Sequence, residues 1–175
     1  MIQTFFRSTR LLLPAFLLLG HSLVLHAEET AATTVDPSDK YGDWVRMCET
    51  IKESETIVCG LVQNVLLKES GQSVLKIIIR NDLSGSTILL SLPLGFAIPP
   101  GVAVNVDKSE TIQKQVQTCT QSGCLAGWQL DEEFINIMKR GVKMYVTIMD
   151  LQGKPFQIPV SLSGFTKGFD SLSKE

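Results

Sequence analysis

The sequence predicts a mainly β protein, an antiparallel single domain with one amphipathic helix and two hairpins that are each stapled by a disulfide. Three observations support this prediction. Apolar and polar residues alternate over most of the chain, four cysteines bracket two short polar segments, and one segment alone has the features of a helix. Alternation with a period of two is typical of strands that bury one face.

The first 27 residues are predicted to be a secretory signal peptide. Arg7 and Arg10 precede an apolar stretch, residues 11–25, which ends in "LHAEET" with cleavage expected after Ala27. A membrane anchor is the alternative, but the stretch is shorter than the ~20 residues that a bilayer requires, and a proline and a glycine interrupt it. The sequence therefore predicts export, to the periplasm or to the cell surface.

The remaining chain is predicted to contain a flexible N-terminal segment, residues 28–40, and one domain, residues 41–175. The segment is small, polar and proline-containing, and the domain has a size that one core can serve. Without the two arginines of the leader, the chain has 14 Lys and Arg against 18 Asp and Glu, a net charge of −4. Because no basic cluster interleaves with aromatic residues, a nucleic-acid partner is not expected.

Strands are predicted along most of the domain. They span residues 44–48, 58–66, 74–80, 87–92, 102–107 and 112–119, followed by a hairpin with strands at 142–149 and 156–162 around Gly153. Pro159 lies on the outward side of the last strand. Since proline cannot donate a hydrogen bond, this strand is expected at a sheet edge.

An uncharged run, residues 83–106, is predicted to be strand, rigid turn and strand. Pro93, Pro99 and Pro100 would break a membrane-spanning helix, and "TILLSL" before them is a continuous apolar strand expected to be buried on both faces. Phe96 lies alone among the turn residues. The favoured interpretation is a plug that closes the end of the core, and the alternative is an exposed partner contact.

A helix is predicted over residues 131–140. Acidic residues begin it, basic residues end it, and Gly141 follows, which matches the helix dipole and a glycine cap. Its buried stripe consists of Leu130, Phe134, Ile137 and Met138. The helix start thereby accounts for the acidic cluster Asp131, Glu132 and Glu133 without a catalytic role.

The cysteines are predicted to pair as Cys48–Cys59 and Cys119–Cys124. Each pair brackets a polar segment between two strands, and Gly123 can supply a positive φ in the shorter loop. Each bridge is expected to stabilise the fold by ~2–3 kcal/mol. The spacings do not match a four-cysteine zinc site, and no C-x-x-C motif is present, so neither a metal site nor a cofactor is predicted.

The sequence does not predict an enzyme. Both histidines, His21 and His26, lie in the leader, so a Ser-His-Asp or Cys-His arrangement cannot form in the mature chain. The alternative is a periplasmic hydrolase that uses carboxylates or a Ser/Lys pair. It would require Asp43, Asp107, Asp150 or Lys76 to converge in a pocket, or one of the Ser-x-x-Lys matches, Ser73/Lys76 and Ser171/Lys174, to be active, although the companion motifs are absent.

An interaction protein is the preferred hypothesis. Three surfaces are candidates for contact with a protein partner: the hairpin tip with Lys52, Glu53 and Glu55, the turn with Phe96, and the edge strand at 156–162, which could accept a strand from a partner. The identity of the partner does not follow from the sequence.

Taken in order, several motifs resemble those of the invasion-associated locus B family of exported bacterial proteins. They are "GDWVRMC", "CGLVQ", "LPLGFAIPPGV", "CTQSGC" and "SLSGF", and the likeness runs from Tyr41 to Leu172. The shared residues are framework rather than catalytic: Trp44, Cys48, Cys59, Pro93, Gly95, Pro100, Gly101, Cys119, Gly123, Cys124 and Gly164. The resemblance implies a β-sandwich-like domain, a periplasmic or surface location in a Gram-negative bacterium, and a part in host-cell invasion and virulence for the member that named the family.

Overall fold

The computed structural model describes residues 39–51 and 56–172, which form eleven strands and two helices. The predicted signal peptide and nearly all of the N-terminal segment lie outside the described residues and stay predictions. The strands are β1 Lys40–Tyr41, β2 Trp44–Ile51, β3 Thr56–Leu66, β4 Ser73–Asp82, β5 Gly85–Leu92, β6 Val102–Val106, β7 Ile112–Lys114, β8 Thr118–Thr120, β9 Gly123–Leu130, β10 Lys143–Met149 and β11 Pro155–Ser161. The helices are α1 Glu132–Arg140 and α2 Phe165–Leu172. Neither helix is long and apolar enough to cross a membrane, and no other α-helix occurs among the described residues.

Two antiparallel sheets form the domain, as predicted. The large sheet has seven strands in the order β1-β2-β3-β4-β5-β9-β8, and the small sheet has four in the order β11-β10-β6-β7. Their facing side chains form one core. The large sheet contributes alternate residues such as Leu75, Ile77 and Ile79, and the small sheet contributes Val104 and Val146, all of which are buried. The arrangement is therefore sandwich-like.

Both predicted disulfides are present. Cys48 and Cys59 lie opposite each other in β2 and β3, and Cys119 and Cys124 lie opposite each other in β8 and β9. Gly123 has a φ of 133°, and a Cβ there would collide with the backbone oxygen of Leu92. The positive φ predicted at this position is confirmed, and the neighbouring backbone supplies a second reason for glycine.

Three predictions about the strands are wrong. The segment 112–119 is not one strand, because β7 belongs to the small sheet and β8 to the large one. Strand β9, "GCLAGWQL", was not predicted, because two glycines and an alanine hide its alternation. Strand β5 is not buried on both faces: Ile88, Leu90 and Leu92 enter the core, whereas Leu89 is half-buried on the outward face of the large sheet.

Helix α1 forms as predicted. The Asp131 carboxylate accepts a hydrogen bond from the Phe134 N–H at 2.7 Å, and Phe134 and Met138 are buried. Gly141 caps the helix with a φ of −77°, so a positive φ is not the reason for glycine there. A Cβ at Gly141 would collide with Val106, which shows that the position requires space.

Helix α2 was not predicted. The ring of Phe165 packs against that of Trp44, with 5.4 Å between the centroids. Gly168 lies against Leu61, where a Cβ would approach Cδ1 to 2.6 Å. Lys139 of α1 forms an ion pair with Asp170 at 2.7 Å. The helix therefore closes one part of the core over β2 and β3.

Candidate functional site

Phe96 is placed in the core. Its side chain is 7% exposed, its backbone forms an isolated bridge with Asp150, and the next N–H, that of Ala97, donates to Met149 O at 2.8 Å. This burial favours the plug over the partner contact. The other candidate contacts, Lys52, Glu53 and Glu55, lie outside the described residues and stay predictions.

In contrast to Phe96, the apolar residues two positions before and after it have exposed side chains. Leu94 is 56% exposed and Ile98 46%. Leu151, in the turn that follows β10, is 70% exposed, and Phe156, near the start of β11, is 45% exposed. The bridge and the Ala97 hydrogen bond hold the two loops together at this end of the small sheet. We call these four residues the apolar end. The sequence named Phe96 as the possible partner contact of this turn, whereas Leu94 and Ile98 are its exposed apolar side chains.

The edge strand β11 is a poor acceptor for a partner strand, although its predicted edge position is confirmed. Ser161 directs its backbone N–H and oxygen away from β10 towards the amide of Gln63, at 3.2 and 3.0 Å. Alternation along an antiparallel strand gives Pro159, Gln157 and Pro155 the same direction. Two of these residues are prolines, so Gln157 alone offers a free donor on this side. The structure therefore weighs against strand addition at this edge.

The predicted carboxylates are held in separate turns. Asp107, with a φ of 48°, accepts hydrogen bonds from the N–H groups of Val142 and Lys143 at 2.9 and 3.0 Å, at the start of β10. Asp150 accepts from the N–H groups of two residues in the turn after β10. Since β10 has seven residues, the two aspartates are on the order of 20 Å apart. They do not share a site.

The remaining candidates for catalysis are also dispersed. The Ser73 hydroxyl donates to Asn64 Oδ1, and the Ser171 hydroxyl donates to the backbone oxygen of Gly168. Lys76 lies on the outward face of the large sheet, and Asp43 is exposed before β2. Within residues 39–51 and 56–172, no three Cys, Asp or Glu side chains are placed to hold a metal ion.

A groove of about 390 Å³ lies on the outward face of the large sheet. Ile78, Leu89 and Gly127 lie directly opposite one another in β4, β5 and β9 and form its floor. We call this site the open-face groove; it is lined by Ile78, Arg80, Thr87, Ile88, Leu89, Gln117, Gly127, Trp128 and Gln129. Sequence reasoning missed it. The sequence signal that could have indicated it is Ile78, an apolar residue that alternates with Lys76 and Arg80 on the outward face of β4.

Hydrogen bonds and charges define the rim of the open-face groove. The amide of Gln117 pairs with the backbone of Gly127, at 2.9 and 3.1 Å. The backbone of Arg80 belongs to the β4–β5 ladder, but its side chain makes no hydrogen bond or ion pair with another described residue. Two hydrogen bonds from Ser84, one from its hydroxyl and one from its N–H, hold the pKa of nearby Asp82 below its usual value, and the Arg80 charge lowers it further.

Comparisons with known proteins agree with this architecture. A family model described as invasion associated locus B (IalB) protein matches residues 44–173. The structure is similar to the crystal structure of invasion associated protein B from Bartonella henselae, with a TM-score of 0.69 and 19% sequence identity over 77% of this chain and 92% of that one. No curated protein matches the sequence significantly. Because the family model spans more than half of the chain, this protein belongs to the invasion-associated locus B family.

Proposed function

We propose that this chain is an exported, non-enzymatic interaction protein of the envelope or surface of a Gram-negative bacterium, and that its contact with a protein partner contributes to association with host cells or to their invasion. Family membership supports the proposal, as does the printed name of the similar Bartonella protein. The two disulfides favour an oxidising compartment.

The apolar end is the observation that carries the interaction role. Soluble proteins seldom expose several large apolar side chains together unless the surface is used. Here Leu94, Ile98 and Leu151 are exposed on two loops that contact each other, and Phe156 is exposed near the start of β11 beside them. Pro93, Pro99 and Pro100 restrict the backbone of the first loop, so little conformational entropy is lost when a partner binds.

The non-enzymatic part of the proposal is supported by the turn-capping roles of the acidic residues. Asp107, Asp131 and Asp150 each accept hydrogen bonds from backbone N–H groups. A general acid or base must instead reach a substrate proton. These three carboxylates are committed to local structure.

Photo-crosslinking in the native bacterium tests the contact surface. A photoreactive residue at Leu94 is expected to form an adduct with a protein partner, because Leu94 belongs to the apolar end. The matched control is Leu83, a fully exposed leucine in the turn between β4 and β5. The two positions lie beyond opposite ends of β5, on the order of 25 Å apart.

The control position decides the interpretation. A partner adduct at Leu94 that is missing at Leu83 supports the proposal, and the same adduct at Ile98 strengthens it. If neither Leu94 nor Ile98 yields a protein adduct, or if Leu83 yields the same adducts, the apolar end is not the contact surface.

A further inference from the structure

One face of the large sheet carries a continuous apolar row. Val45, Val62, Ile78 and Leu89 lie directly opposite one another in β2, β3, β4 and β5, and the row ends at Gly127 of β9. Within residues 39–51 and 56–172, the two helices and the small sheet bury their apolar side chains against the opposite face, so that none of them covers this row. We call the outward side of these five strands the outer face; it includes the open-face groove.

Two glycines make the outer face flat. A Cβ at Gly60 would lie 3.3 Å from Ile78 Cγ2, and a Cβ at Gly127 would lie 3.2 Å from Leu89 Cδ1. The side chains of Ile78 and Leu89 therefore lie over the backbone of the neighbouring strands. Flat faces of this kind pack on one another about 10 Å apart, as the two sheets of a sandwich do.

The charges of the outer face are balanced. Glu49, Lys76 and Arg80 lie together on it, and Asp82, two residues after Arg80, has the same outward direction by alternation. These two cations and two carboxylates are the charged side chains that the described residues of the five strands direct outward. Such a surface does not select a partner of one charge, but it can complement a copy of itself.

Along β4 the charges are arranged so that one copy of the outer face complements another. The outward residues of this strand are Lys76, Ile78, Arg80 and Asp82, with a cation at one end and a carboxylate at the other. When two β4 strands cross in opposite directions about a twofold axis between Ile78 and Arg80, Lys76 of each copy faces Asp82 of the other. This interface contains two equivalent ion pairs, one at each end of the crossing.

The outer face is large enough for a stable dimer. Its five strands have at least eight residues each. With ~4.8 Å between strands and ~3.3 Å per residue, they cover on the order of 600 Å². Two such faces in contact bury on the order of 1,200 Å², which reaches the range of stable protein interfaces.

We propose that the outer face binds a second copy of this chain, and that the protein forms a twofold-symmetric dimer through its large sheets. The flat apolar row, the self-complementary charges and the area of the face support this occupant. The dimer goes beyond the proposed function, since Leu94, Ile98, Leu151 and Phe156 lie outside the five strands.

Sedimentation equilibrium of the purified protein tests the dimer. The mass is expected to rise with concentration from that of one chain to that of two. Ile78→Asn is expected to weaken the dimer at least about tenfold, because Ile78 lies beside the proposed axis. Val142→Asn is the matched control. Val142 is 70% exposed just before β10 and lies outside the large sheet, so its replacement should leave the dimer unchanged.

Charge reversal tests how the two copies are arranged. Lys76→Glu alone, or Asp82→Lys alone, is expected to weaken the dimer about tenfold, because each places like charges opposite each other at both ends of the crossing. A mixture of the two variants is expected to form a dimer with one copy of each, since opposite charges then face each other in both pairs. Both side chains are exposed, and circular dichroism verifies that each variant is folded.

Three results would overturn the proposal. The first is a single chain at every concentration up to about 100 μM, which would leave the outer face to a different occupant. The second is a dimer that Ile78→Asn leaves unchanged. The third is a mixture of Lys76→Glu and Asp82→Lys that dimerises no better than either variant alone. None of them bears on the cross-linking at Leu94, and a missing adduct at Leu94 does not bear on the dimer.

Discussion

Replacing Gly164 by alanine is expected to lower the free energy of unfolding by about 3–5 kcal/mol, or to prevent folding. Gly164 has a φ of 86°, and a Cβ there would collide with the backbone of Tyr41 and Gly42. The crossing is further held by the Asp43 N–H, which donates to Ser163 O at 3.1 Å. Since both partners are backbone, the clash cannot be relieved by a change of rotamer. Urea unfolding followed by circular dichroism measures the loss.

Gly153→Ala is the matched control. Gly153 has nearly the same φ, 80°, but nothing lies within 4 Å of its Cβ position. Its cost is therefore backbone strain alone, about 1–2 kcal/mol. If Gly164→Ala proved no more harmful than Gly153→Ala, the close crossing of the two backbones would be wrong. Gly42→Ala, whose Cβ would lie 2.5 Å from Ser163 O, tests the same crossing from the other side.

Gln63→Ala is expected to cost about 3 kcal/mol, because one buried amide joins the two sheets. Its Nε2 donates to Ser161 O at 3.0 Å and to Asp43 O at 3.2 Å, and its Oε1 accepts from the Ser161 N–H. Trp44 Nε1 also donates to Ser161 O, at 2.9 Å, so that oxygen keeps one partner in the variant. The N–H of Ser161 and the oxygen of Asp43 lose theirs. Chemical unfolding of the purified variant gives the difference.

Gln117→Ala serves as the comparison, since Gln117 makes an equivalent pair of hydrogen bonds with Gly127. Gln117 lies in an exposed setting where water can replace the lost bonds, so its cost should stay below about 1 kcal/mol. Equal losses for the two glutamines would mean that burial of Gln63 does not determine its contribution.

The elements that the sequence predicted best are those whose information is local. Strand β10 alternates buried residues with less buried ones along its whole length, and α1 has an aspartate at its start and basic residues at its end. Both disulfides were predictable because each closes a short hairpin. In each case neighbours in sequence determine the structure.

The elements that the sequence missed depend on distant contacts. Helix α2 contains Gly168 in its middle, and the reason for that glycine is the side chain of Leu61 in β3. Strand β9 contains Gly127, which lies opposite Leu89 of β5. Local propensity disfavours both glycines in regular structure, and nothing near them in sequence offsets this preference.

The apolar end and the open-face groove also differ in how far they depend on contacts between residues that are distant in sequence. Apolar residues in a proline-rich turn indicated a recognition surface, but the sequence did not show that Phe96 faces the core while Leu94 and Ile98 face solvent. The open-face groove depends on the register of three strands, two of which, β5 and β9, are far apart in sequence. It required the sheet order to be known.

Contact with a partner outside the cytoplasm requires that the protein is exported. Cells of the native bacterium are treated with protease when intact, after permeabilisation of the outer membrane, and after lysis. Digestion is expected in intact cells if the protein lies at the surface, or after permeabilisation if it lies in the periplasm, while a cytoplasmic marker stays protected. The purified chain, digested under the same conditions, controls for intrinsic resistance. Protection of the protein alongside the cytoplasmic marker until lysis would show that it is not exported.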